Sequence, residues 1–244
     1  MNIKWNGKEN ERIILFFAGW GADRNSIAHL AGNGYDVALI YDYTYLTAER
    51  EIFSAERERV LTAILPQYSE VYLAAWSMGV WAATLFMDGM AVDIKQSVAI
   101  CGTPLPIDDL YGIPQAVYNG TLDNLQKDLD NGASAASSRN MRKFNMRMCG
   151  GKEGFERYSE RVPERTLPNV LNELRSIKEN CYLCAPSRWS SAIIGESDLI
   201  FPAQNQKRYW EENIDRKSIH CIDSPHYPFF SFSGWDAIFK MHIK

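Results

Sequence analysis

A doubly wound α/β sheet carrying a helical insertion is the architecture this sequence predicts, and three observations carry it. Short β-rich apolar runs alternate with helical stretches along the chain. The runs are apolar at consecutive positions, as strands covered on both faces by helices must be. One interval, from Pro104 to about Ser190, holds no convincing run of this kind and is too long for a simple strand-to-helix connection.

The elements follow in order. The runs RIILFFAG (12–19) and DVALIYDY (36–43) read as the first two strands. Between 48 and 65, Ile52, Phe53, Val60, Leu61, Ile64 and Leu65 recur at helical spacing opposite charged positions, which predicts an amphipathic helix. EVYLAAW (70–76) is the third strand, and MGVWAATLFMDG opens a helix directly after it. QSVAICG (96–102), SSAIIGES (190–197) and KSIHCID (217–223) complete the strand set. In the long interval, helices are predicted over 121–130, closed by Asn131-Gly132; 134–148, closed by Gly150-Gly151; 153–160; and 167–179. The expected organisation is a core of residues 1–103 and 190–244, with 104–189 forming a helical cap over the carboxyl edge of the sheet, where such sheets bind ligands.

Composition bounds the function. With 244 residues, 46% of them hydrophobic, the chain can bury one sizeable core. The polar start MNIKWNGKENER has no signal-peptide run, and no stretch approaches the ~20 apolar residues of a membrane span. A soluble cytoplasmic protein is expected, with no membrane partner. A net charge of −4 argues against nucleic acid as a partner. Five cysteines, Cys101, Cys149, Cys181, Cys184 and Cys221, are scattered without a disulfide framework, and Cys181-Tyr-Leu-Cys184 lacks the second pair or spaced histidine of a zinc site.

Ser77 interrupts the apolar stretch LAAWSMGVWAA at the expected passage from strand to helix. Ala75-Trp76-Ser77-Met78-Gly79 fits the nucleophile elbow G-x-S-x-G with alanine first. Such a turn is sharp enough to demand minimal side chains two residues either side of the serine. It pushes the hydroxyl outward and places the Met78 N–H at a helix N-terminus, where developing negative charge is favoured. The plainer alternative is that Ser77 only caps a core helix. An acid and then a histidine must follow, each just after a later strand. Asp198 follows SSAIIGES and His226 follows KSIHCID, while His29, His220 and His242 fall in an early helix, in a strand and at the tail. Ala18-Gly19-Trp20-Gly21 leaves the first strand with the freedom to aim the Trp20 N–H at Ser77 as a second oxyanion donor. Trp20 and Trp76 are candidates for lining an acyl site, whereas Trp81 reads as core.

These motifs carry a resemblance. F-A-G-W-G, A-W-S-M-G-V-W-A, the G-x-x-D-x-I-x-P stretch and a histidine before an aromatic-rich tail resemble the α/β-hydrolase superfamily. More closely, they resemble the BioG-type branch of pimeloyl-[acyl-carrier protein] methyl ester esterases, over nearly the whole chain. Two positions depart from the superfamily pattern: Ala75 replaces the first elbow glycine, and the oxyanion loop has no His-Gly pair. The resemblance implies hydrolysis of the methyl ester at the far end of a pimeloyl chain in biotin synthesis, with acyl carrier protein as partner and no metal or other cofactor. A thioesterase or small-ester hydrolase, and a non-catalytic binding protein on the same scaffold, are the alternatives. From Arg139 to Lys152 there are five basic residues and no acids. Arg139, Arg142, Lys143 and Arg147 fall largely along one side of a helix, and the resemblance implies that such a basic face docks the acidic carrier; a solvated helix face is the alternative.

Overall fold

A computed structural model describes residues 1–45, 50–183, 185 and 189–241, with the backbone alone at 45 and 50–53. Among the described residues, seven strands form one sheet: β1 (Asn2–Lys4), β2 (Arg12–Phe17), β3 (Tyr35–Tyr41), β4 (Glu70–Trp76), β5 (Ile94–Ile100), β6 (Ser191–Gly195) and β7 (Ile219–Ile222). Their order is β1-β3-β2-β4-β5-β6-β7, parallel except for β1, which runs antiparallel to β3. The sheet is therefore mostly parallel and flanked by helices, as the sequence predicts; β1 is too short and too polar to have been read from pattern.

Alternation along the strands divides the interior into two cores, one on each side of the sheet. Ile13, Leu15 and Phe17 of β2 face one, and Ile14 and Phe16 face the other. The first core is covered by α1 (Arg50–Arg59) with the π-helical turn Val60–Ile64 that continues it, and by α2 (Gly79–Met87). Val60, Ile64 and Leu65 are buried there, and Pro66 stands in the short 3-10 turn that ends the run; the side chains of Ile52 and Phe53 lie outside the described set. The second core is sealed by α8 (Trp235–Lys240) through Trp235, Ile238 and Phe239.

Among the described residues, four helices lie between β5 and β6: α3 (Gln115–Asp130), α4 (Arg139–Met148), α5 (Lys152–Ser159) and α6 (Leu167–Asn180). α5 and α6 start within a residue of the sequence reading, and α3 and α4 are closed where it places the stop. Gly132 and Gly150 both take positive φ, 77° and 75°, at the ends of α3 and α4. Two begin elsewhere. α3 starts six residues early, at Gln115 behind Pro114, and α4 starts at Arg139 because the Ser138 hydroxyl accepts the Met141 N–H at 3.0 Å and caps it. Among its described residues the segment shares the two cores of the sheet. Leu125 of α3 and Leu171 and Leu174 of α6 join the first core, while Met148 and Tyr158 join the second. After β6, α7 (Ala203–Asn213) packs back on the sheet through the fully buried Trp210.

Candidate active site

The chain passes from β2 to β3 on one side and returns to β4 on the other, so the carboxyl ends of β2 and β4 flank the crevice at a topological switch point. Phe17 pairs with Ala75, and the two strands end side by side. The loop Ala18–Gly21 therefore lies against the turn at Ser77. Ser77 sits at φ +58°, a left-handed conformation costing an L-residue about 1–2 kcal/mol. Its N–H donates to the Ile100 carbonyl at 2.8 Å, and its carbonyl accepts the Val80 N–H at 3.0 Å, so both sides of the strained residue are held. The glycine two residues after the serine is required by a close backbone approach. A Cβ on Gly79 would collide with the Phe17 and Ala18 carbonyl oxygens of the neighbouring strand end. On Gly19 a Cβ would lie 3.0 Å from the Trp76 ring and 3.2 Å from the Ser77 Cβ, so a side chain there would wedge the loop off the serine.

The ends of β4, β6 and β7 bring three side chains into line. His226 Nε2 lies 2.9 Å from Ser77 Oγ, and His226 Nδ1 lies 2.7 Å from Asp198 Oδ2. All three residues are buried, His226 to 1% exposure. Asp198 Oδ1 accepts the Ile200 and Phe201 N–H groups, each at 2.8 Å, and Oδ2 accepts Gln206 Nε2 at 3.0 Å beside the imidazole. Four donors converge on this carboxylate and fix its plane. The histidine loop is pinned from below, where the Trp76 indole N–H donates to the His226 carbonyl at 2.8 Å and the ring packs on Tyr227 and Phe229.

No described residue accepts a hydrogen bond from the Trp20 or Met78 backbone N–H. Both residues line a cavity of about 230 Å³ whose wall includes Ile113, Tyr118 and Leu174 and whose rim includes Lys143 and Arg147. A second cavity, of about 250 Å³, is lined by Trp20 and Trp76 together with Met141, Met148 and Tyr158. The Trp20 and Phe144 rings, 4.9 Å apart and edge to face, border both cavities and form a partition between them. Trp20 is core and wall at once: it is 6% exposed, and its indole N–H donates to the Val170 carbonyl at 2.7 Å. Trp76 borders the second cavity only. Trp81 is core, its indole bonded to the Leu183 carbonyl.

Arg139, Arg142, Lys143 and Arg147 are exposed on α4, and among the described residues none forms an ion pair. Lys143 and Arg147, one turn apart, reach the rim of the first cavity. Arg142 instead lies over the Phe155 ring at 5.6 Å. Of the competing histidines, His29 is in a turn after a 3-10 segment rather than in a helix, with Nε2 3.2 Å from the Phe229 carbonyl. His220 is in β7, and His242 lies outside the described residues. Cys101, Cys149, Cys181 and Cys221 are free thiols; Cys184 lies outside the described residues.

Two polar residues of the site were not singled out from sequence. Gln206 is fully buried behind Asp198, on the first turn of α7. Glu173 is fully buried on α6, about 40° around the helix from Ile177, so the apolar arc of that helix did carry the signal.

A sheet of this topology, with a serine at a strained strand-to-helix turn and further site residues on later strand ends, defines an α/β hydrolase. The chain belongs to the BioG family: the family model described as pimeloyl-ACP methyl esterase BioG matches residues 1–238. The crystal structure of BioG from Haemophilus influenzae is similar over 98% of this chain and 99% of that one, at 33% identity and a TM-score of 0.78. A malonyl-[acyl-carrier protein] O-methyltransferase of Bacteroides fragilis is 37% identical over 89% of this chain, which spans only 40% of that relative's length. A hydrolase from Oleispira antarctica shares the fold at 15% identity and a TM-score of 0.61, covering 99% of this chain and 93% of that one.

Proposed function

We propose that the chain is a serine carboxylesterase that hydrolyses the methyl ester of a pimeloyl group held on acyl carrier protein, a step of biotin synthesis, with residues 104–189 as a cap over the core of 1–103 and 190–244. The observation that carries the reaction type is the line from Ser77 Oγ to His226 Nε2 at 2.9 Å and from His226 Nδ1 to Asp198 at 2.7 Å. The family match supports the substrate.

The chemistry follows from these distances. Ser77 Oγ attacks the ester carbonyl carbon as His226 Nε2 takes its proton, and Asp198 holds the Nδ1–H and balances the imidazolium. The Trp20 and Met78 N–H groups receive the negative oxygen of the tetrahedral intermediate. Collapse breaks the carbon–methoxide bond, and the proton on Nε2 leaves with it as methanol. Water, deprotonated by the same nitrogen, attacks the acyl-serine and releases the free carboxylate with Ser77 restored. No step calls for a metal or cofactor.

The first cavity suits the acyl part: apolar walls accept methylenes, and Lys143 and Arg147 at the rim suit the anionic arm and acidic surface of a carrier. The test is methanol release from dicarboxylate monomethyl esters of different chain length, free and carrier-bound. Preference for the carrier-bound pimeloyl ester supports this reading. Equal turnover of short esters with no response to the carrier favours a small-ester hydrolase on the same residues.

A further inference from the structure

We infer that Glu173 of α6 is a positioning residue for the oxyanion loop, its carboxylate holding the Gly21 amide so that the preceding Trp20 N–H keeps its aim. This rests on the reading of Ser77 as nucleophile with the Trp20 amide as a donor to the oxyanion.

Glu173 is fully buried, far from the Ser77–His226–Asp198 line in sequence and on a helix of the inserted segment. Its Oε2 accepts the Gly21 N–H at 3.1 Å and an Arg165 N–H at 3.3 Å; its Oε1 accepts the Tyr43 N–H at 3.1 Å. One turn earlier on the same helix, the Val170 carbonyl accepts the Trp20 indole N–H at 2.7 Å. Residues 170 and 173 thus grip the consecutive residues 20 and 21. Gly21 sits at φ +70°, where a glycine is free to swing, and the carboxylate removes that freedom. On the other side Gly19 is wedged between Trp76 and Ser77. The Trp20 peptide is therefore fixed at both ends, which an unpartnered amide must be if it is to bind an oxyanion without reorganising.

Burying a carboxylate is unfavourable unless its partners compensate, and an apolar residue would fill the same arc of α6 at less cost. The groups facing Glu173 come from four elements: Arg165 before α6, Asp42 and Tyr43 after β3, Tyr118 of α3, and the Met1 amino group. Arg165 also pairs with Asp42 at 3.2 Å. Burial pushes the Glu173 carboxyl up to about 7, with Arg165 and the two amides drawing it down and Asp42 adding to the rise. Above that pH the carboxylate accepts both amides. Below it one oxygen becomes a hydroxyl, and one amide loses its strong acceptor.

The experiment compares wild type with Glu173→Gln on a short ester. Active sites are counted by complete labelling with a fluorophosphonate, and melting temperature is followed in parallel. The carboxamide can serve one amide but turns an NH2 toward the other. The expected result is a kcat per labelled site reduced about ten- to a hundred-fold with KM within about threefold, and loss of the component of the pH profile near 7. A kcat per labelled site within about twofold of wild type, whatever the melting temperature, overturns the inference. If the variant does not fold, the wild-type amide resonances decide: Gly21 and Tyr43 shifts that titrate together near pH 7 support the clamp, and shifts that stay constant refute it. Failure of wild type to label or to hydrolyse any ester defeats the esterase reading and this inference with it. A labelled, active wild type beside an unimpaired variant defeats this inference alone.

Discussion

Ser77, Asp198 and His226 each lie within four residues of the end of a parallel strand, whereas Glu173, Val170, Lys143 and Arg147 lie on helices between β5 and β6. The first group is placed by the sheet: Phe17 pairs with Ala75, Ile100 with Ile193, and Ile194 with Cys221, so residues distant in the chain are delivered to one edge by backbone hydrogen bonds. The second group is placed by side-chain packing of α3, α4 and α6 on the two cores. The groups to which the proposed reading gives the chemistry thus hang on strand ends tied by backbone ladders, while those to which it gives the substrate hang on helices held to the sheet by side-chain packing.

The largest expected effect breaks the comparison on the sheet side. Ser77→Ala removes the oxygen to which the proposed mechanism gives the attack and is expected to lower kcat by at least ~10³-fold with an unchanged circular-dichroism spectrum. Next comes Asp198→Asn, which keeps the shape but puts an NH2 opposite His226 Nδ1 and favours the wrong tautomer; a loss of about 10²- to 10⁴-fold in kcat is expected. A mild effect in steady-state assays would point to another acid.

Where the loop after β2 meets the inserted helices, and on those helices themselves, the effects shrink and change character. Trp20→Phe keeps a ring against Phe144 but leaves the Val170 carbonyl without its donor, so about 1–3 kcal/mol of stability is expected to go. The partition between the two cavities thins as well, and KM for medium-chain esters is expected to rise. Thermal melting and ester kinetics on one preparation separate the two. Smallest of all, reversal of Arg142 and Lys143 to Glu is expected to raise KM several-fold for a carrier-bound ester, with added salt weakening wild type in the same direction. A small free ester is expected to be untouched. Because Lys143 borders the cavity and Arg142 does not, the single reversals sharpen the test: docking alone predicts similar effects, whereas a role in holding the substrate arm predicts that Lys143→Glu dominates.

The same division explains what was legible in the sequence. Runs that are apolar on both faces read directly as β2 to β7, and the requirement that an elbow serine, an acid and a histidine follow strands in that order singled out Ser77, Asp198 and His226, which the fold brings within hydrogen-bond reach. β1 escaped because three polar-flanked residues have no period to read. The starts of α3 and α4 escaped because Pro114 and Ser138 act through local geometry that periodicity does not register. Glu173 was invisible as a site residue since its meaning depends on Gly21 and Tyr43, which lie 152 and 130 positions away. Trp20 and Trp76 read alike in sequence as candidates for lining an acyl site, yet Trp20 borders both cavities, whereas Trp76 borders the second and supports the His226 loop from below.

The most direct measurement is peptide mapping after treatment with a fluorophosphonate, with methanol release from the carrier-bound pimeloyl methyl ester followed on the same sample. One adduct per chain is expected, on the peptide bearing Ser77, with activity lost in proportion to labelling and no adduct in Ser77→Ala. Undiminished methyl-ester hydrolysis by fully labelled protein, or an adduct on another residue that alone abolishes activity, would contradict it.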